Sequence, residues 1–126
     1  MATIQPTIKW ADPSMATKII QWTLTNTGDI AAPVMLGRWN QTTIQLCTNA
    51  PAALAINGSN DPIDSAPTNL AALSDWQGNS LGALTTLGFK TPRDMPVWLG
   101  ATLTTAGAGP TLIQAVCHRA DISAVG

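Results

Sequence analysis

The sequence predicts a single all-β domain, an antiparallel sandwich, and three observations point there. Charged residues make up only 10% of the 126-residue chain, Glu and Tyr are absent, and Thr and Ala abound. Missing Glu and scarce Lys remove the usual solvent-facing helix formers, whereas Thr, Val, Ile and Trp suit a pleated, half-buried surface. Ten Gly and nine Pro are spread along the chain rather than clustered, as punctuation between many short strands. The best-patterned segments alternate apolar and polar residues with period two. A chain of this length buries roughly two-thirds of its unfolded surface, enough for one core without a disulfide or structural metal.

Taken in order, residues 1–17 hold two prolines, Lys9, Trp10 and Asp12 without sustained periodicity, and read as an extended arm ahead of one sandwich domain at 18–126. Trp10 in that polar setting suits docking on a neighbouring subunit. The first clear strand covers 17–25, with Ile20, Trp22 and Leu24 on one face, and Asn26-Thr27-Gly28-Asp29 turns the chain. Residues 33–39 form a short apolar segment. Strand 43–48 puts Ile44 and Leu46 on one face and Gln45 and Cys47 on the other, and strand 52–57 follows across Asn49-Ala50-Pro51, so the two are expected as neighbours.

Residues 57–67, rich in Asn, Asp, Ser and Pro, make the longest surface loop, and 70–76 fits either a strand or one helical turn before Gln77-Gly78-Asn79. The two best strands close the chain. Strand 97–104 turns Val97, Leu99, Ala101 and Leu103 to one face; strand 111–118 turns Ile113, Ala115 and Cys117 one way and Leu112, Gln114 and Val116 the other. The linker Ala106-Gly107-Ala108-Gly109-Pro110 reads as a hairpin loop pairing them.

Function classes narrow by exclusion. A net charge of −1 with six scattered basic residues provides no attraction to a phosphate backbone or an anionic membrane. So little charge beside 45% apolar residues gives weak protection against self-association, which predicts a homo-oligomer. Without an N-terminal basic run and apolar core, manufacture in a reducing cytoplasm is expected, with Cys47 and Cys117 as thiols.

The sharpest catalytic signal is Gly78-Asn79-Ser80-Leu81-Gly82, a Gly-x-Ser-x-Gly pattern followed by Asp94 and His118 in the hydrolase order. That elbow requires a strand-to-helix turn on a mostly parallel sheet, and no crossover helices are in evidence, so no enzyme is expected. His118 has no His partner, and the cysteines lack zinc spacing. The oxygen-rich run from Asn57 to Asp64 lacks the Glu and spacing of an EF-hand, and Asx turns account for it. No cofactor and no metal are expected. Five tryptophans open a second class, since aromatic faces stack on sugar rings. Trp22 shares the buried alternation, whereas Trp98 lies opposite Val97 and Leu99.

Several segments together carry a resemblance: Lys18-Ile19-Ile20-Gln21-Trp22, Asn26-Thr27-Gly28-Asp29, Ala32-Pro33, Arg38-Trp39, Ile44-Gln45-Leu46, Ile56-Asn57-Gly58-Ser59-Asn60-Asp61, Leu73-Ser74-Asp75 and Thr111 to Val116 with Arg119. Across about residues 17–120 the chain resembles small virion proteins of tailed phages, of the capsid decoration or cement type. The resemblance implies a jelly-roll-like sandwich on the phage head surface, assembled as a trimer or dimer, with the major capsid protein as partner. Trp10, Trp39, Trp98, Asn60 and Asp61 are the candidate interface residues. The alternative is a glycan- or receptor-binding module of a tail or head fibre.

Overall fold

The alternating segments become ten strands in a computed structural model that describes residues 2–11, 17–36, 41–94 and 96–118. They are β1 (Thr3–Ile4), β2 (Thr7–Trp10), β3 (Thr17–Leu24), β4 (Ile30–Met35), β5 (Gln41–Leu46), β6 (Ala53–Ser59), β7 (Ala71–Ala72), β8 (Gly88–Lys90), β9 (Trp98–Thr105) and β10 (Thr111–His118). Sheet A has the order β1-β4-β9-β6-β7 and sheet B the order β2-β3-β10-β5-β8. The described residues contain no helix.

The pairings follow one rule. β3 pairs with β10, β4 with β9, β5 with β8 and β6 with β7, all antiparallel, so the chain from β3 onward is one long hairpin rolled into two sheets. This is a jelly roll, and the expected all-β sandwich with an extended N-terminal segment is what forms. Two local expectations are corrected by the rolling. β5 and β6 are not neighbours across 49–51, and β9 and β10 are not a hairpin across 106–110; each connection crosses from one sheet to the other. Period-two patterning determines which face of a strand is buried but not which strand lies beside it.

The buried faces are as the alternation requires. Ile20, Trp22 and Leu24 from β3, Ile44 and Leu46 from β5, Leu54 and Ile56 from β6, Leu99 and Leu103 from β9, and Ile113 and Ala115 from β10 fill the space between the sheets. The Trp22 indole satisfies its N–H on the Ala32 carbonyl at 3.2 Å. The apolar segment expected at 33–39 starts earlier, as β4, and Pro33 falls where the β4–β9 register shifts between Ala31 and Val34. A bulge is where a residue without an N–H costs a sheet least. Residues 70–76 resolve as the two-residue strand β7 followed by bridges Ser74↔Ser80 and Asp75↔Pro92.

The arm differs most from expectation. It is extended, but its described part pairs within its own chain: β1 runs parallel to β4 on sheet A, and β2 runs antiparallel to β3 on sheet B. Asp29 helps to hold it, accepting from the backbone N–H groups of Asn26 (2.9 Å), Thr25 (3.1 Å) and Ala2 (3.0 Å). Those donors, Asn26 foremost, keep the Asp29 carboxyl below its ordinary pKa. Each sheet thus gains an edge strand from the arm, and Ile4 of β1 packs against the core.

Candidate functional site

Three of the expected interface residues come together, as a clamp. Asn60 Oδ1 accepts from Val97 N–H at 3.2 Å, and the Trp98 indole N–H donates to the Asp61 carbonyl at 3.1 Å. The Asp61 carboxylate accepts from Asn69 Nδ2 (3.0 Å) and from the backbone N–H groups of Asn69 and Thr68 (2.9 Å each). These donors, led by the Asn69 amide, lower its pKa from 3.8 to about 2. The oxygen-rich loop is therefore organised by its own carboxylate and pinned to the start of β9, with Trp98 half-buried in the join. Pro96 seats on Gly58, where an added Cβ would stand 2.4 Å from Pro96 Cγ. A hollow of about 460 Å³ opens beside this clamp, lined by Asn60, Asn69, Leu73 and Asp94 among others.

Trp10 lies on β2 opposite Lys18, about half exposed. Trp39 lies outside the described residues.

The elbow-like motif takes another form. Gly78 has φ +86° within a tight turn whose centre is Asp75: its carboxylate accepts from the N–H groups of Asn79 and Gln77, each at 2.9 Å. Ser80 Oγ accepts from Gly82 N–H at 3.1 Å, Asp94 accepts from Ser74 N–H at 3.2 Å, and His118 Nδ1 meets Thr17 Oγ1 at 3.3 Å. No hydrogen bond joins Ser80, Asp94 and His118: the first two lie in loops that both meet Ser74, and His118 ends β10. Among the described residues no group of three or more His, Cys, Asp or Glu is placed to hold a metal ion. Cys117 is buried and Cys47 half-buried, both as thiols; burial raises the Cys117 pKa against the Thr42 hydroxyl that contacts its sulfur at 3.7 Å.

Two surface features were not singled out by sequence. The first is the outer face of sheet B. Gln21, Gln114 and Gln45 stand in one row across β3, β10 and β5 and form a ladder: Gln21 Nε2 donates to Gln114 Oε1, and Gln114 Nε2 donates to Gln45 Oε1 at 3.4 Å. The next row pairs Ile19 with Val116 and Val116 with Thr43, and beyond the ladder Leu112 pairs with Thr23. Across these three central strands the outward positions from the Leu112 row to the Val116 row carry no charge.

The second feature is Trp76, 68% exposed at the tip of the Asp75 turn. It forms a wall of two hollows. One, of about 340 Å³, is also lined by Gln41, Thr43, Thr91, Arg93 and His118; the other, of about 280 Å³, by Gln77, Phe89 and Lys90. A Trp outside the strand alternation is exposed by loop geometry, and alternation was the only signal the sequence offered for orientation.

No protein-family model matches the chain, and no curated protein matches it in sequence. Solved structures do share its fold. A cupin domain from Bordetella pertussis Tohama I superposes with a TM-score of 0.53 at 13% identity, covering 94% of this chain and 96% of that one. The SPBc2 prophage-derived protein YomS superposes with a TM-score of 0.55 at 6% identity, covering 79% of this chain and 93% of that one. At such identities the likeness is one of fold.

Proposed function

We propose that this chain is a non-enzymatic structural protein of a phage particle, a decoration protein that binds the outside of the head and stabilises it. The observation that carries the reading is the uncharged outer face of the three central strands of sheet B, β3, β10 and β5, where the glutamine ladder lies between Ile19 and Val116 on one side and Leu112 on the other and Lys9 of β2 stands at the rim beside Ile19. An interface core is depleted in charge, and its amides must keep partners when water leaves; here Gln114 is already bonded to both neighbours. Such a face stabilises an assembly by buried area and mass action rather than by chemistry. The sequence resemblance to tailed-phage virion proteins points the same way, and the jelly roll is a fold used for capsid proteins as well as for cupins and lectins. In this reading the face meets the major capsid protein or a second copy of the chain within a dimer or trimer.

The test is Val116→Glu, which sets a charge on the central strand of the face, in the row beside the ladder, while leaving the inward residues of β10 untouched. The substituted protein is expected to keep its thermal midpoint and to lose attachment to heads stripped of the wild-type protein. Attachment at wild-type level would remove the sheet B face from the account.

A further inference from the structure

The paired hollows around Trp76 adjoin the outer face of sheet B, sharing Thr43 with it and holding Phe89 beside Gln45, and we propose that they form a binding site for a neutral oligosaccharide, with the Trp76 indole as the stacking platform between two sugar subsites. The platform is held in advance. The Asp75 carboxylate gathers the N–H groups of Gln77 and Asn79, and Asp75 N–H donates to Asn79 O at 2.9 Å. Arg93 N–H donates to Ser74 O at 2.8 Å, tying the base of the turn to the segment that carries Thr91 and Pro92. A large aromatic side chain 68% exposed on so fixed a loop incurs little ordering cost when a ligand covers it.

The chemistry around it selects the ligand. Sugar rings offer an apolar C–H face to an indole and hydroxyls to the walls, and the first hollow supplies the Gln41 amide, the Thr43 and Thr91 hydroxyls, the Arg93 guanidinium and the His118 ring. With Nδ1 of His118 facing Thr17, its Nε2 is the ring atom left for a ligand hydroxyl. The hollow's volume of about 340 Å³ lies within the ~300–1,000 Å³ range of small-molecule sites. In the second hollow Phe89, 68% exposed, gives another aromatic surface beside Gln77 and Lys90.

Charge argues for a neutral ligand. Arg93 is offset by Asp94, 3.7 Å away, and Lys90 shares its hollow with Asp75. A nucleic-acid strand would need an unbalanced basic track beside the aromatics.

The inference is independent of where the chain sits in a particle, because the isolated chain tests it. Neutral hexasaccharides of glucose, xylose and N-acetylglucosamine, at millimolar concentration, are titrated into full-length protein with 15N-labelled indoles. At least one is expected to shift the Trp76 indole resonance and leave that of buried Trp22 in place. Trp76→Ala should weaken binding about tenfold or more, as for a central aromatic anchor, with Trp22 still reporting a folded core, and Trp76→Phe should retain part of it. A Trp76 resonance unmoved by every sugar, or moved only by oligothymidylate or dextran sulfate, overturns the proposal.

Discussion

The two ends of the sandwich are built differently. At one end the crossovers 49–51 and 106–110 and the turn 25–29 are laced together. Asn49, with φ +53°, donates from Nδ2 to Pro110 O at 2.9 Å; Thr111 Oγ1 donates to Asn49 O at 2.7 Å; and Ala106 N–H donates to Thr27 Oγ1 at 2.9 Å. At the other end β10 finishes at His118 beside Gln41, and the loops that follow β6, β7 and β8 surround the open hollows. A jelly roll needs each crossover to bridge its two sheets, and one end does this with short, saturated connections. The laced end ties its connections into one hydrogen-bonded network, and the open end carries exposed aromatics and ligand-sized space.

Substitutions should separate the ends. The largest effect is expected from Leu103→Ala near the laced end: Leu103 is fully buried, and its backbone bonds to Gly28 and Asp29. A loss of about 2–5 kcal/mol in denaturant unfolding is expected from the lost burial and the cavity. Gly107→Ala comes next, because the new Cβ would stand 2.1 Å from the Ala50 carbonyl oxygen and force the two crossovers apart. About 1–3 kcal/mol is expected, read from the same unfolding midpoint.

At the open end the effects become local. Because the Asp61 carboxyl has a folded pKa of about 2 against 3.8, its support for the 60–69 loop is fully present above pH 3.8 and is lost as pH falls through about 2. Amide exchange at Thr68 and Asn69, corrected for intrinsic rates, should therefore rise over that interval while Leu103 stays protected, and Asp61→Asn should show raised exchange already at neutral pH. The smallest effect belongs to Trp76→Ala, whose unfolding free energy should stay within about 0.5 kcal/mol of wild type, since the indole is largely in water.

The same contrast accounts for what was legible in the sequence. The buried faces of β3, β5, β6, β9 and β10 were readable because alternation reports burial directly, down to Ile113, Ala115 and Cys117. The partners of those strands were not, because short linkers such as 106–110 look alike whether they close a hairpin or cross between sheets. The arm was readable as extended, but its pairing depends on sheet edges created only by the fold. Asn60, Asp61 and Trp98, three of the five interface candidates, meet in the fold, where the bonds from Val97 to Asn60 and from Trp98 to Asp61 pin a loop. Trp76 counts in the sequence only as one of five tryptophans that could stack on a sugar; its exposure and the glutamine row are illegible there for complementary reasons. One sits off the strand periodicity, and the other consists of single outward residues from three strands distant in sequence.

The proposal that the chain works as a structural component of a phage head is tested most directly by its copy number in purified phage particles from cells that carry its gene. Quantitative mass spectrometry against the major capsid protein should give one copy per capsid subunit or a simple fraction of that. Absence from the particle would contradict the account.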